Sequence, residues 1–132
     1  MSKSERQVAN ELVITYEGDH IQVLSDGAKD FEFSTRLWTG VVAACEENDC
    51  FNVLGIANTT KTLETMEAFD HGKLFQELGI SRKYRIAWVE QNPKGYDAVH
   101  FIESVLYNRG FLARLFPNVE QARKWLRSGI ES

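Results

Sequence analysis

The feature that most constrains the fold is a short apolar run that stands between two helical patterns. Residues 53–57, "VLGIA", carry no polar side chain. A run of this length is typical of a strand that is covered on both faces. The preceding segment has helical spacing, with apolar residues at i, i+4, i+7 and i+8: Leu37, Val41, Ala44 and Cys45. A buried strand between helices predicts a parallel sheet with right-handed crossovers.

An antiparallel hairpin is predicted before the first helical segment. Leu12, Ile14 and Tyr16 alternate with their neighbours, and a second alternating stretch follows at 21–23. The intervening residues, "EGDH", are typical of a turn, because glycine tolerates positive φ and aspartate bonds to its own backbone. The first strand is therefore expected to add an antiparallel edge to the sheet.

After residue 57 the pattern alternates between helix and strand. We predict a helix over 61–80, a strand over 84–90, a loop over 91–95, a helix over 96–110, a strand over 111–116 and a last helix to 129. The register of the first of these helices shifts near 70–72. This shift indicates either a kink or a loop followed by a helix that Asp70 caps. Gly79 is expected to end that helix, and Asn118 to cap the last one.

The elements assign the chain to the α/β class. Residues 1–10 form a polar N-terminal segment, and 11–132 form a single domain with a mostly parallel five-stranded sheet and about four helices. The net charge is −4, and no segment has the basic face that nucleic acid requires. No apolar stretch is long enough to span a membrane or to serve as a secretion signal, so we expect a cytoplasmic protein.

The chain resembles the STAS domain, the fold of anti-sigma-factor antagonists. The residues that carry the resemblance are the opening hairpin, the strand "YRIAWVE" and the ending "FPNVEQARKWL", and the likeness extends from about Leu12 to Leu126. More closely, the chain is similar to the STAS-like family of small bacterial proteins described as sporulation anti-sigma-antagonist-like. The resemblance implies helices packed mainly on one side of the sheet and a regulatory, protein-binding role.

The resemblance also implies a phosphorylation site. In anti-sigma antagonists a partner kinase phosphorylates Ser or Thr after the central strand, within a motif of Asp, one residue, Ser or Thr, and often Gly. The corresponding residues here are Asn58, Thr59 and Thr60. Thr59 and Thr60 are therefore the candidate phospho-acceptors, although the acidic residue and the glycine of the motif are missing.

The residues themselves favour a binding site at the same place. Ligands of open parallel sheets bind beyond the carboxyl ends of the strands, and a helix N-terminus attracts anions. Residues 58–62 are predicted to form such a turn, and the alternative is that they only cap the next helix. The loop after the strand 84–90 is predicted to lie at the same edge and to complete a polar rim together with Asp26. The alternative is that it is an ordinary surface loop. The candidate binding residues are Asn58, Thr59, Thr60, Thr62, Asp26, Gln91 and Asn92.

No constellation for catalysis or metal binding is found. His20, His71 and His100 are scattered, and Cys45 and Cys50 do not have metal-ligand or redox spacing. There is no nucleophile motif and no phosphate-binding glycine loop. We therefore predict no catalytic residues, no metal and no cofactor.

Two functions remain open. The first is a non-catalytic regulatory module that docks a protein partner, or a second copy of itself, through residues 58–62 and the helix 63–78. The second is a carrier or sensor that holds a small apolar or amphipathic ligand between sheet and helices, on a plan like that of CRAL-TRIO domains. The break at 70–72 distinguishes them, because a lid over a pocket needs a hinge there and a rigid docking helix does not.

Overall fold

Strands and helices alternate along the chain after an opening hairpin. The computed structural model describes residues 11–28, 30–61 and 69–131. In chain order its elements are β1 (Glu11–Tyr16), β2 (Ile21–Ala28), α1 (Phe31–Asn48), β3 (Asn52–Lys61), α2 (His71–Glu77), β4 (Arg85–Glu90), α3 (Pro93–Asn108), β5 (Leu112–Phe116) and α4 (Val119–Glu131).

The five strands form one mixed sheet in the order β1-β2-β3-β4-β5. β1 runs antiparallel to β2, and β2 to β5 run parallel to one another. The predicted α/β fold with an antiparallel N-terminal edge is confirmed. Because β3 lies at the centre, its carboxyl end is flanked by the carboxyl ends of β2 and β4.

The hairpin turn has the chemistry that the sequence predicts. Gly18 adopts φ +96°, which an L side chain rarely tolerates. The turn is closed by a hydrogen bond of 2.8 Å from the Glu17 N–H to the His20 carbonyl.

The larger core lies between one face of the sheet and helices α1, α2 and α3. Its centre is aromatic: the ring of Trp38 lies 4.7 Å from that of Phe75 and 5.4 Å from that of Trp88, centroid to centroid. A Cβ atom at Gly55 would overlap the ring of Trp88, so the glycine in the central strand makes room for the indole.

Helix α4 covers the other face of the sheet over β3, β4 and β5. A smaller buried cluster holds it there: Leu54, Ala87, Val89, Ala122 and Leu126. The Arg85 guanidinium lies 3.9 Å from the ring of Trp125 and donates a hydrogen bond of 2.8 Å to the Trp125 carbonyl. Three described helices on one face and one on the other agree with the expected packing mainly on one side.

Two predicted loops are wrong. Residues 58–61 continue strand β3 instead of forming a turn, because they pair with β2 as far as Lys61. The predicted loop 91–95 contains the first turn of α3, which begins at Pro93 with Asn92 as its N-cap. Proline suits this first position because its fixed φ is helical and its missing N–H would have no partner there.

The region of the predicted helix 61–80 is seen only in part. Residues 62–68 lie outside the described residues, and α2 begins at His71. Asp70 precedes it without a side-chain capping bond. Gly79 follows the helix with φ +79°, as expected for the residue that ends it. At the last helix, Asn118 accepts a hydrogen bond of 2.9 Å from the Gln121 N–H, which confirms the predicted cap.

Candidate functional site

Polar side chains from three neighbouring strand ends meet at the carboxyl edge of the sheet. Asp26 on β2 is the register partner of Asn58 on β3, and the Asn58 amide donates a hydrogen bond of 3.1 Å to Asp26 Oδ1. Gln91 follows β4, and its N–H donates to the Ala57 carbonyl at 2.8 Å. The structure thus brings together three candidate residues that are separated by more than thirty positions in the sequence.

These residues form one end of a groove with an apolar floor. The carboxyl-end groove has a volume of about 330 Å³ and is lined by Val13, Leu24, Ser25, Asp26, Ile56, Asn58 and Gln91. Its floor is a row of register partners, in which Val13 pairs with Leu24 and Leu24 pairs with Ile56. Val13 is 49% exposed and Leu24 41%. Since α4 packs over β3 to β5, this part of the face is left open to solvent.

Thr59 points to the opposite face of the sheet, because side chains alternate along a strand. Its side chain is 3% exposed. The Thr59 hydroxyl donates to Glu90 Oε1 at 2.6 Å, and the Thr59 N–H donates to Glu90 Oε2 at 2.8 Å. The Asn92 N–H donates to the same Oε2 at 3.2 Å. We call Thr59, Glu90 and Asn92 the Glu90 cluster.

The Glu90 cluster joins three elements. Glu90 is 7% exposed, and its carboxylate accepts hydrogen bonds from the end of β3 and from the residue that caps α3. Buried carboxylates are tolerated when such bonds replace the lost water. In this conformation the Thr59 hydroxyl is enclosed, so its predicted role as a phospho-acceptor requires the Glu90 bond to open first. That role stays a prediction.

The remaining candidate residues are placed differently. Asn92 caps α3, where its side chain accepts a hydrogen bond of 3.0 Å from the Lys94 N–H. Thr60 lies on strand β3. Thr62 lies outside the described residues. The candidate set is therefore divided between the groove on one face and the Glu90 cluster on the other.

Sequence reasoning missed Glu90 and the floor of the groove. A signal for Glu90 is present, because it is a charged residue at the end of an otherwise apolar buried strand, "IAWVE". A signal for the floor is present as well. Leu12, Val13 and Ile14 are consecutive and apolar, which indicates apolar side chains on both faces of β1.

Two titratable side chains outside the site, Cys45 and Tyr84, are buried in the core. Burial raises the pKa of the Cys45 thiol to about 12, with smaller contributions from Cys50 and Glu46. Burial also raises the pKa of Tyr84. The described residues contain no group of three or more His, Cys, Asp or Glu side chains that is suited to a metal ion.

Among the described residues, the space between α3 and the sheet offers little room for a ligand. A cavity of about 40 Å³ lies between α3 and the sheet, against Trp38, Trp88, Ile102 and Leu106. Space of this size suits a water molecule or two. Pockets for small-molecule ligands are about 300–1,000 Å³.

Comparison with known proteins supports the fold. No protein-family model matches the chain, and no curated protein matches it significantly. A solved structure of an anti-sigma factor antagonist from Mycobacterium paratuberculosis superposes with a TM-score of 0.61 at 11% sequence identity. It covers 90% of this chain and 95% of its own. The protein therefore has a STAS-like fold. None of the helices in the described ranges combines the length and apolar character that crossing a membrane requires.

Proposed function

We propose that the protein is a non-catalytic regulatory module that binds a protein partner through the carboxyl-end groove. The observation that carries the proposal is the convergence of Asp26, Asn58 and Gln91 beside a half-exposed apolar row. The similar fold of an anti-sigma factor antagonist supports a role in regulation by protein binding. An exposed apolar patch with a polar rim is the usual form of a protein-binding surface.

The groove favours a partner segment of defined chemistry. Leu24 and Ile56 offer an apolar floor for one aliphatic side chain, because each is at least partly open to solvent. Asp26 is exposed at the rim and carries a negative charge that Asn58 only partly satisfies through one hydrogen bond. A segment with an aliphatic residue next to Lys or Arg would satisfy both features.

The carrier hypothesis has less support from the geometry. The cavity between α3 and the sheet, in the described part of the chain, is several times smaller than a ligand pocket. The groove has the volume of a small ligand pocket, but its floor residues Val13 and Leu24 are 49% and 41% exposed, which suits a peptide segment better than an enclosed lipid. A role for the helix 63–78 in docking stays a prediction, as does phosphorylation of Thr59 or Thr60.

Peptide selection would test the proposed function. A phage-displayed peptide library is selected on the wild-type protein, and the affinities of the enriched peptides are measured by isothermal titration calorimetry. We expect an aliphatic residue beside Lys or Arg in the enriched peptides. We also expect at least about tenfold weaker binding to Leu24→Glu and to Asp26→Lys, since truncated or mismatched anchors typically lose more than 1 kcal/mol.

Tyr107→Glu is the matched control, because Tyr107 is highly exposed on α3 and does not line the groove. Its affinity for the peptides should equal that of the wild type. Enriched peptides that bind all four proteins equally would contradict docking in the groove.

A further inference from the structure

The two edges of the sheet are protected to different degrees. At the β5 edge, Glu103 on α3 reaches the strand, and its Oε2 accepts a hydrogen bond of 2.8 Å from the Leu115 N–H. Pro117 follows the strand and has no N–H to offer. Capped donors and proline are devices that prevent the addition of another strand. The β5 edge is therefore protected at its carboxyl end.

In the described part of the chain, residues 12–16 of β1 carry none of these devices. Residues 12–16, "LVITY", include no charged residue and no proline. β1 pairs with β2 in continuous register, without a bulge that would twist its edge away. Val13 and Tyr16 are among the exposed large apolar residues of the described chain. A regular edge strand whose one charged residue is its first, Glu11, is a template for pairing with a further strand.

One flank of α1 faces outward above this edge. Gly40 lies directly over β1, because a Cβ atom added there would be 2.7 Å from Ile14 Cδ1. Arg36, Ala43 and Glu47 lie on the same flank, at i−4, i+3 and i+7 from Gly40. All three are exposed. We call these four residues the outer flank of α1.

The opposite side of α1 shows which way the outer flank faces. Trp38 lies there and packs against Phe75 and Trp88, toward the middle of the sheet. The outer flank therefore points away from the core and past β1. Its two ends carry opposite charges, Arg36 and Glu47, and its middle is small, Gly40 and Ala43.

We propose that two copies of this chain pair edge to edge through β1. The two β1 strands run antiparallel about a two-fold axis at Val13, so each Val13 faces its counterpart and the apolar row of the groove floor continues from one copy into the other. The axis also relates the two outer flanks. Along α1, the point midway between Gly40 and Ala43 is also midway between Arg36 and Glu47. With this point at the axis, Arg36 of each copy meets the partner's Glu47, and the small residues meet in the middle.

The spacing of the two copies agrees with ordinary packing distances. Paired strands lie about 4.8 Å apart. α1 packs over both β1 and β2, so a helix centred over that pair would stand about 10 Å from its counterpart, a common distance between packed helices. Small residues in the middle of the outer flank permit this approach.

The surface favours a second copy over an unrelated strand because it is complementary to itself. Strand residues 12–16 carry no charge that would repel an identical strand. The outer flank presents a positive end to the negative end of its copy, as an isologous interface requires. The pairing leaves Asp26, Asn58 and Gln91 accessible, and it does not depend on the partner proposed for the groove.

Sedimentation equilibrium of purified protein at low salt, up to millimolar concentration, tests the pairing. We expect the wild type to form a dimer. Arg36→Glu and Glu47→Arg should each weaken dimerisation at least about tenfold, because two attractive pairs become two repulsive ones. The double variant Arg36→Glu/Glu47→Arg should recover the wild-type dissociation constant. Arg123→Glu, an exposed charge on α4, is the matched control and should leave it unchanged.

Val13→Lys tests the strand contact separately, because it places two like charges at the axis. We expect this variant to be monomeric and its β1 amides to exchange hydrogen faster than those of the wild type. A wild type that stays monomeric overturns the proposal. A dimer that persists in Val13→Lys, or one that Arg36→Glu leaves unchanged, forms through another surface and overturns it as well.

Discussion

At the scale of single residues, Glu90 determines how the carboxyl edge of the sheet is built. Its buried carboxylate accepts hydrogen bonds from the Thr59 hydroxyl, the Thr59 N–H and the Asn92 N–H. Bonds to a charged acceptor are about twice as strong as neutral ones. Asn58 and Gln91 are the chain neighbours of Thr59 and Glu90. The cluster on one face thus positions the polar end of the groove on the other.

Thr59→Val should destabilise the protein by about 1.5–3 kcal/mol. The substitution removes a hydrogen bond to a buried charge without changing the size of the side chain. The free energy of unfolding from urea denaturation measures the effect. Thr59→Ser retains the hydroxyl and should lose less. Equal stability of the valine variant and the wild type would show that the 2.6 Å bond contributes nothing.

At the scale of elements, α3 sits on the sheet end through its first turn. Gly95 lies in that turn, and a Cβ atom there would be 2.7 Å from Thr59 Cβ and 3.1 Å from Glu90 Cδ. The helix therefore approaches the Glu90 cluster as closely as a glycine permits. Asn92 begins the helix as its cap, and Pro93 follows in the first helical position.

Gly95→Ala should lower the free energy of unfolding by about 1 kcal/mol, although alanine is the better helix former. The propensity gain is about 1 kcal/mol, and overpacking against the Glu90 cluster costs about 1–3 kcal/mol. Chemical denaturation followed by circular dichroism measures the balance. Ser104→Ala, at an exposed site on the same helix, should be neutral or slightly stabilising. A more stable Gly95→Ala variant would mean that α3 can withdraw from the sheet.

At the scale of the whole molecule, the described sheet is protected at its β5 edge by Glu103 and ends at the other edge in β1. The β1 edge is where we propose that a second copy pairs. The protection of the β5 edge depends on Glu103, which lies on a helix and accepts the Leu115 N–H. A protein with two open edges could pair on both sides and form extended assemblies, whereas one open edge ends at a dimer.

Glu103→Ala should open the second edge. We expect the free energy of unfolding to fall by about 1–2 kcal/mol because the hydrogen bond is missing. We also expect the variant to form larger oligomers than the wild type. Light scattering over a concentration series at 37 °C measures the association. Glu120→Ala removes an exposed carboxylate from α4 and should scatter like the wild type. Unchanged scattering by Glu103→Ala would show that the β5 edge is protected by other means.

Much of the architecture was predictable because it depends on local patterns. Turn residues such as Gly18 encode the hairpin, helical spacing encodes α1 and α3, and the apolar run 53–57 encodes a central strand. Parallel pairing then follows from the alternation of strand and helix. It also follows that Asp26, Asn58 and Gln91 lie at one edge, since carboxyl ends of parallel strands lie side by side.

The remaining features depend on contacts between residues that are distant in the sequence. Pairing with β2 extends β3 through residues whose polar character had indicated a turn, and the carboxylate of Glu90, thirty-one residues away, holds Thr59 inside. Whether an apolar residue such as Leu24 is covered depends on where α4 comes to rest. Periodicity and turn chemistry act between neighbours, so they are written in the chain. Burial, edge protection and hydrogen bonding across strands arise only when the packed sheet brings their partners together.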